Sequence, residues 1–111
     1  MAQDFKRYIE RAIGTNAVDM PDGANFTTND TIIGINLANI STLAIKASVY
    51  IANGSNNYYL VKDAPIPSGG ALQIMDGGAK IVVQSGDRLN IISDTASSID
   101  AWVSVVAAIS A

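Results

Sequence analysis

This sequence predicts an all-β fold, an antiparallel β-sandwich of the jelly-roll type with about seven or eight strands and an N-terminal arm or short helix. Three observations carry that expectation. The chain holds 15 Ile and 8 Val against 5 Leu, and β-branched side chains suit a pleated sheet better than a helix. Turn signals recur at short, fairly even intervals: Pro21-Asp22-Gly23, Ala38-Asn39, Asn53 to Asn57, Pro65 to Gly70, Asp76-Gly77-Gly78, Ser85-Gly86-Asp87 and Asp94 to Ser98. Between them, apolar and polar residues alternate with the period of two that a half-buried strand requires.

Taken in chain order, the first element is ambiguous. Phe5, Tyr8, Ile9, Ala12 and Ile13 are spaced for one face of a helix, with Asp4 as its cap. The same residues also suit an arm lying extended across a neighbour. Residues 1–14 are therefore assigned to an arm and residues 15–111 to the sandwich. Segment 31–38 sets Ile33, Ile35 and Leu37 against Ile32, Gly34, Asn36 and Ala38. Segment 42–51 places Leu43, Ile45, Ala47, Val49 and Ile51 on one face. Shorter strands fit 58–62, 71–75, 79–84 and 87–93, and Asp76-Gly77-Gly78 supplies the glycines of a tight hairpin. The last segment, 99–109, gathers Ile99, Ala101, Val103, Val105, Ala107 and Ile109 opposite Asp100, Trp102, Ser104, Val106 and Ala108.

At 111 residues the chain amounts to one domain, large enough to bury roughly two-thirds of its unfolded surface. Charged residues make up 15%, against about 25% in ordinary soluble domains. Part of the outer surface must then be neutral or apolar, and outward apolar positions such as Ile32, Trp102 and Val106 are expected to meet other protein. His and Cys are absent, which excludes disulfides, thiol nucleophiles, Ser-His triads and the usual zinc sites. The net charge is −3 and the isoelectric point near 4.5, unfavourable for nucleic acid as a partner. No segment has the roughly 20 apolar residues of a membrane span. The N-terminus lacks a signal-type apolar run, so synthesis in a cytoplasm without classical export is expected, and no membrane partner.

Asp is the only plentiful ionisable residue, with 9 copies beside a single Glu10. Paired carboxylates can serve as acid and base or hold calcium. Asp76, Asp87 and Asp94 stand at predicted strand ends, however, where Asp ordinarily caps a turn through nearby backbone. No calcium-loop pattern is present. Gly69-Gly70 and Gly77-Gly78 belong to no phosphate-binding motif, and no base of the His type stands ready for any Ser. No catalytic residue, metal site or cofactor is assigned. The stretch Lys6-Arg7, Glu10-Arg11 reads as a solvated or partner-facing side of the arm. Tyr50, Tyr58, Tyr59 and Trp102 hold most of the aromatic area. Alternation sends Trp102 away from its strand's core face, and Trp anchors interfaces disproportionately. The candidate protein interface is Phe5, Tyr8, Ile9, Tyr50, Trp102 and Val106.

Several stretches resemble small structural proteins of tailed bacteriophages, notably phages of marine bacteria. They are Met1-Ala2-Gln3-Asp4-Phe5-Lys6-Arg7-Tyr8, Val49 to Gly54, Tyr58-Tyr59-Leu60-Val61-Lys62-Asp63-Ala64-Pro65-Ile66-Pro67, Gly86-Asp87-Arg88-Leu89 and Ser97 to Val105. The likeness spans nearly the whole chain except Met20 to Asn25, and its motifs are turn and strand grammar. It implies a role in assembly at the neck, tail or capsid of a virion, and no site.

The expectation is a non-enzymatic virion protein, made in the host bacterium's cytoplasm. It would form a homo-oligomer, contact other virion proteins, and stabilise or connect the neck, tail or outer capsid. The alternative is a lectin-like domain that recognises host glycans, with Tyr58 or Tyr59 in the binding site. An Asp-based hydrolase is the third class and the one the missing residue types disfavour most.

Overall fold

The computed structural model describes residues 4–20, 30–74, 81–84 and 86–107. Its strands are β1 (Asp4–Ile13), β2 (Val18–Met20), β3 (Asp30–Asn39), β4 (Ile45–Asn53), β5 (Asn56–Ile66), β6 (Ala71–Gln73), β7 (Ile81–Val83), β8 (Arg88–Ser93) and β9 (Ile99–Ala107). One sheet runs β1-β9-β3-β6, with β7 also on β3, and the other runs β2-β8-β4-β5. Every pairing is antiparallel.

The chain changes sheets at every connection except β4 to β5 and β6 to β7. If β6 and β7 count as one interrupted strand, this is the eight-position, double Greek-key order of a jelly roll. Both pair antiparallel with β3, β6 at residues 36–38 and β7 at residues 30–32, so they run in the same direction. The expected hairpin at Asp76-Gly77-Gly78 lies outside the described residues. The strands on either side of it do not pair with each other as a hairpin would require.

The core lies between the sheets. One contributes Ile13, Ile32, Ile35, Leu37, Val83, Ile99, Ala101, Val103 and Val105, and the other Ile45, Ala47, Val49, Ile66, Leu89 and Ile91. Every one is aliphatic. A fully buried Ile or Leu contributes roughly 1.5–3 kcal/mol relative to exposure, so a core of short branched side chains carries the fold without a central aromatic.

Residues 4–13 form neither a helix nor a free arm. They pair with β9 from Asp4↔Ala107 to Ile13↔Ile99 and make an edge strand of the sandwich. The β9 edge offers residues 4–13 a row of backbone partners, whereas an isolated short helix is marginal in water. A bulge between Glu10 and Ile13 inserts an odd step, so Tyr8 and Ile13 both turn inward while Ile9 faces out. That odd step is what mimics helical spacing in the sequence.

A second bulge corrects the facing of β3. Ile32 pairs with Val105 and Gly34 with Ser104, leaving Ile33 extruded. Ile32, expected outside, is therefore fully buried, and Ile33, expected inside, is 36% exposed. Between β4 and β5 the register shifts twice, at Ala47/Val49 and Val49/Tyr50. Asp63 takes a left-handed φ of 53° there, and its N–H donates to Ser48 Oγ at 2.9 Å.

Polar side chains tie the loops to the sandwich. The Asn39 side chain, almost wholly buried, donates through Nδ2 to the carbonyls of Leu43 (2.8 Å), Ile66 (3.0 Å) and Pro67 (3.1 Å). Its Oδ1 accepts from Ser41 N–H and Ser41 Oγ. The β4–β5 hairpin closes with Asn53 opposite Asn56. Gly54 holds a φ of 61° at the first of its two loop residues, where a type II′ turn demands glycine.

Candidate functional site

Two outer faces flank the core, and they differ in chemistry. On the outer face of the β1-β9-β3 sheet, Ile9 stands directly across from Trp102, and Trp102 across from Asn36. Ile9 is 48% and Trp102 50% exposed. The extruded Ile33 and, on β7, Val82 add further exposed apolar surface to the same sheet. The Arg7 guanidinium lies 5.3 Å from the centre of the Trp102 ring, a cation–π distance. A shallow apolar depression runs along Ile9, Ala101 and Trp102 and is rimmed by Glu10, Arg11 and Asp100.

The expected interface residues do not form one patch. Ile9 and Trp102 come together on this face as neighbours. Tyr8 points the other way and packs against the core. Val106 is covered, with 7% of its surface left exposed, and it falls outside the main core cluster. As the chain stands, it is not free for a partner. Phe5 pairs with Val106 through its backbone, but its side chain lies outside the described residues. Tyr50 stands on the opposite sheet, half-buried.

That opposite face, on β2-β8-β4-β5, is polar. Register brings Asp19, Asn90, Tyr50 and Tyr59 into one row across four strands. The Tyr50 and Tyr59 rings are 5.0 Å apart and tilted by 45°. Arg88 Nη1 meets Asp19 Oδ2 at 3.3 Å. Asp19, Tyr50, Arg88 and Asn90, with Asn57, Gly54 and Gly86, line a depression of about 510 Å³, to which Tyr59 does not contribute. Burial, the neighbouring Tyr59 phenol and the Asp19 carboxylate raise the Tyr50 pKa, so the phenol keeps its proton and can donate. Tyr58, 59% exposed, is not part of this depression. Alternation in 87–93 already sets Arg88 and Asn90 on one face, but only the strand order places them beside Tyr50 and Asp19.

The turn carboxylates are occupied with backbone. Asp87 accepts from Gln84 N–H (2.9 Å) and from Asn53 Nδ2 (2.7 Å). Asp94 accepts from Lys46 N–H (3.0 Å) and Thr95 Oγ1 (2.9 Å). Asp100 accepts from Ala12 N–H at 3.0 Å. For these three, turn and bulge capping accounts for the residue type. No family model matches the chain, and no curated protein matches it.

Proposed function

We propose that this chain is a non-enzymatic structural protein of a tailed-phage virion, and that it self-associates through the outer face carrying Trp102. The observation that supports this most is the Ile9–Trp102 pair, two large apolar side chains side by side and about half exposed on the outer face of the sheet. An outward Trp flanked by aliphatic residues is an anchor waiting for a covering surface. A second copy of the chain is the simplest cover, since an oligomer repeats its own patches. The jelly roll is a fold used by viral capsid proteins and by lectins; it narrows the reading without deciding it. The turn and strand motifs at residues 58–67 and 86–89, which resemble those of small phage structural proteins, support the same reading.

Two measurements test this reading. Sedimentation velocity of the full chain should give an oligomer that Trp102→Ala dissociates. Mass spectrometry of purified particles of the encoding phage should find the chain at many copies per virion. A wild-type chain that stays monomeric at high concentration, or particles without it, would reject the proposal.

A further inference from the structure

The polar depression on the β2-β8-β4-β5 face has a feature that fold stability does not explain. Asn90 is 5% exposed, yet its carboxamide has no hydrogen-bond partner among the described residues. Its neighbours Leu89 and Ile91 face the core, so Asn90 points outward, into the depression it lines. No buried side-chain polar atom is left unpaired among the described residues, so the Asn90 amide opens to the solvent of the depression and is available to a ligand. Tyr50, in the same depression, keeps a protonated phenol. A carboxamide and a phenol that make no hydrogen bond to the described residues, side by side in one depression, are a recognition surface.

We propose that this depression binds a neutral saccharide. The groups around it select the class. An anion is disfavoured, because the guanidinium of Arg88 already faces Asp19 at 3.3 Å and the chain's net charge is −3. A metal ion is disfavoured as well: among the described residues Asp19 is the single carboxylate lining the depression, and no cluster of three acidic side chains occurs. An apolar ligand would leave the Asn90 and Asn57 carboxamides unpaired. A sugar's vicinal hydroxyls each donate and accept. They therefore match the carboxamides of Asn90 and Asn57 and the Tyr50 phenol, which both donate and accept. The Tyr50 ring supplies the apolar wall that a pyranose C–H face requires. The volume, about 510 Å³, falls within the range of small-molecule sites. Gly54 and Gly86, at its margin, carry no side chain to obstruct entry.

This site stands independently of the assembly reading. It lies on the sheet opposite Trp102, so copies joined through the Trp102 face would leave it open. Repeated copies would also raise a weak saccharide affinity through avidity.

The test uses the full chain and a printed array of neutral and anionic oligosaccharides, followed by saturation-transfer NMR with the methyl glycosides of the sugars that bind. Wild type should bind neutral saccharides. Asn90→Ala and Tyr50→Phe should each weaken binding by about three- to tenfold, the size of one lost hydrogen bond, while melting close to wild type. If Asn90→Ala fails to fold, Tyr50→Phe, which removes only a hydroxyl, decides. Trp102→Ala should lose assembly and keep monovalent saccharide binding, and Tyr58→Ala should bind normally. The proposal is overturned if no neutral saccharide binds, if binding is confined to sulfated or phosphorylated glycans, or if both site variants bind like wild type.

Discussion

The backbone N–H of Ala12 donates to the Asp100 carboxylate at 3.0 Å, joining residues 88 apart in sequence. Ala12 is held there in the left-handed region, at φ 57°, which costs an L-residue about 1–2 kcal/mol. The carboxylate holds the bulge that returns Ile13 to the core. Asp100→Ala should lower stability by about 1 kcal/mol, in line with loss of a side-chain cap. For a domain of this size that corresponds to a melting point about 4–8 °C lower. Asp100→Asn keeps an acceptor and should lose less. Thermal unfolding of both variants checks the order.

Deleting residues 4–13 should destabilise the whole sandwich. β1 pairs along its length with β9, and both Tyr8 and Ile13 pack on the core. Its loss would bare the long edge of β9 and invite association through that edge. The expected result is a poorly soluble or unfolded product by circular dichroism. A truncated chain that melts like wild type would show that β1 contributes little.

Asn39→Ala should cost about 2–4 kcal/mol, because it removes the side-chain donor of the buried Ile66 carbonyl and, with it, the bonds to Leu43 and to Ser41 that hold the loop. A fall in melting temperature of roughly 10–25 °C follows from the size of the domain. Asn39→Asp should be no better, since a carboxylate cannot donate to those carbonyls. Chemical denaturation at neutral pH measures both.

Hydrogen bonds from the Lys46 backbone and the Thr95 hydroxyl hold the Asp94 carboxyl below the ordinary carboxylate range. A depressed folded-state pKa means stability that is fully present above the unfolded value of about 3.9 and is lost as pH falls through the folded value. Asp94→Asn should therefore be less stable than wild type at neutral pH. The gap should close as pH drops below about 4. Melting curves across that range test the sign; a gap that widens in acid would contradict it.

Trp102→Ala should separate folding from assembly. Half of the ring is solvent-exposed on the outer face, so the monomer should melt within a few degrees of wild type. Truncating a central interface Trp typically costs 2 kcal/mol or more, about thirtyfold in affinity. Sedimentation equilibrium gives the association constant, and differential scanning calorimetry gives the stability of the same sample.

The two-residue alternation along 45–51 and 99–105, the surplus of Ile and Val, and the regular turn signals determined that this chain is an all-β sandwich. Those are local properties, and local sterics and periodicity are enough to read them. They also set the outward facing of Trp102, since its neighbours in β9 are all core residues. What the tertiary structure alone decided depends on pairing. Whether residues 4–13 form an arm, a helix or a strand turns on the availability of the β9 edge, which no local pattern reports. Bulges at Ile33 and at Arg11-Ala12 moved Ile32 and Ile13 into the core, because one extra residue reverses the facing of all that follows. The meeting of Asp19, Tyr50, Arg88 and Asn90 required strands distant in sequence to lie side by side. Strand order is set by how two sheets jointly bury one core, and that is a property of the whole chain.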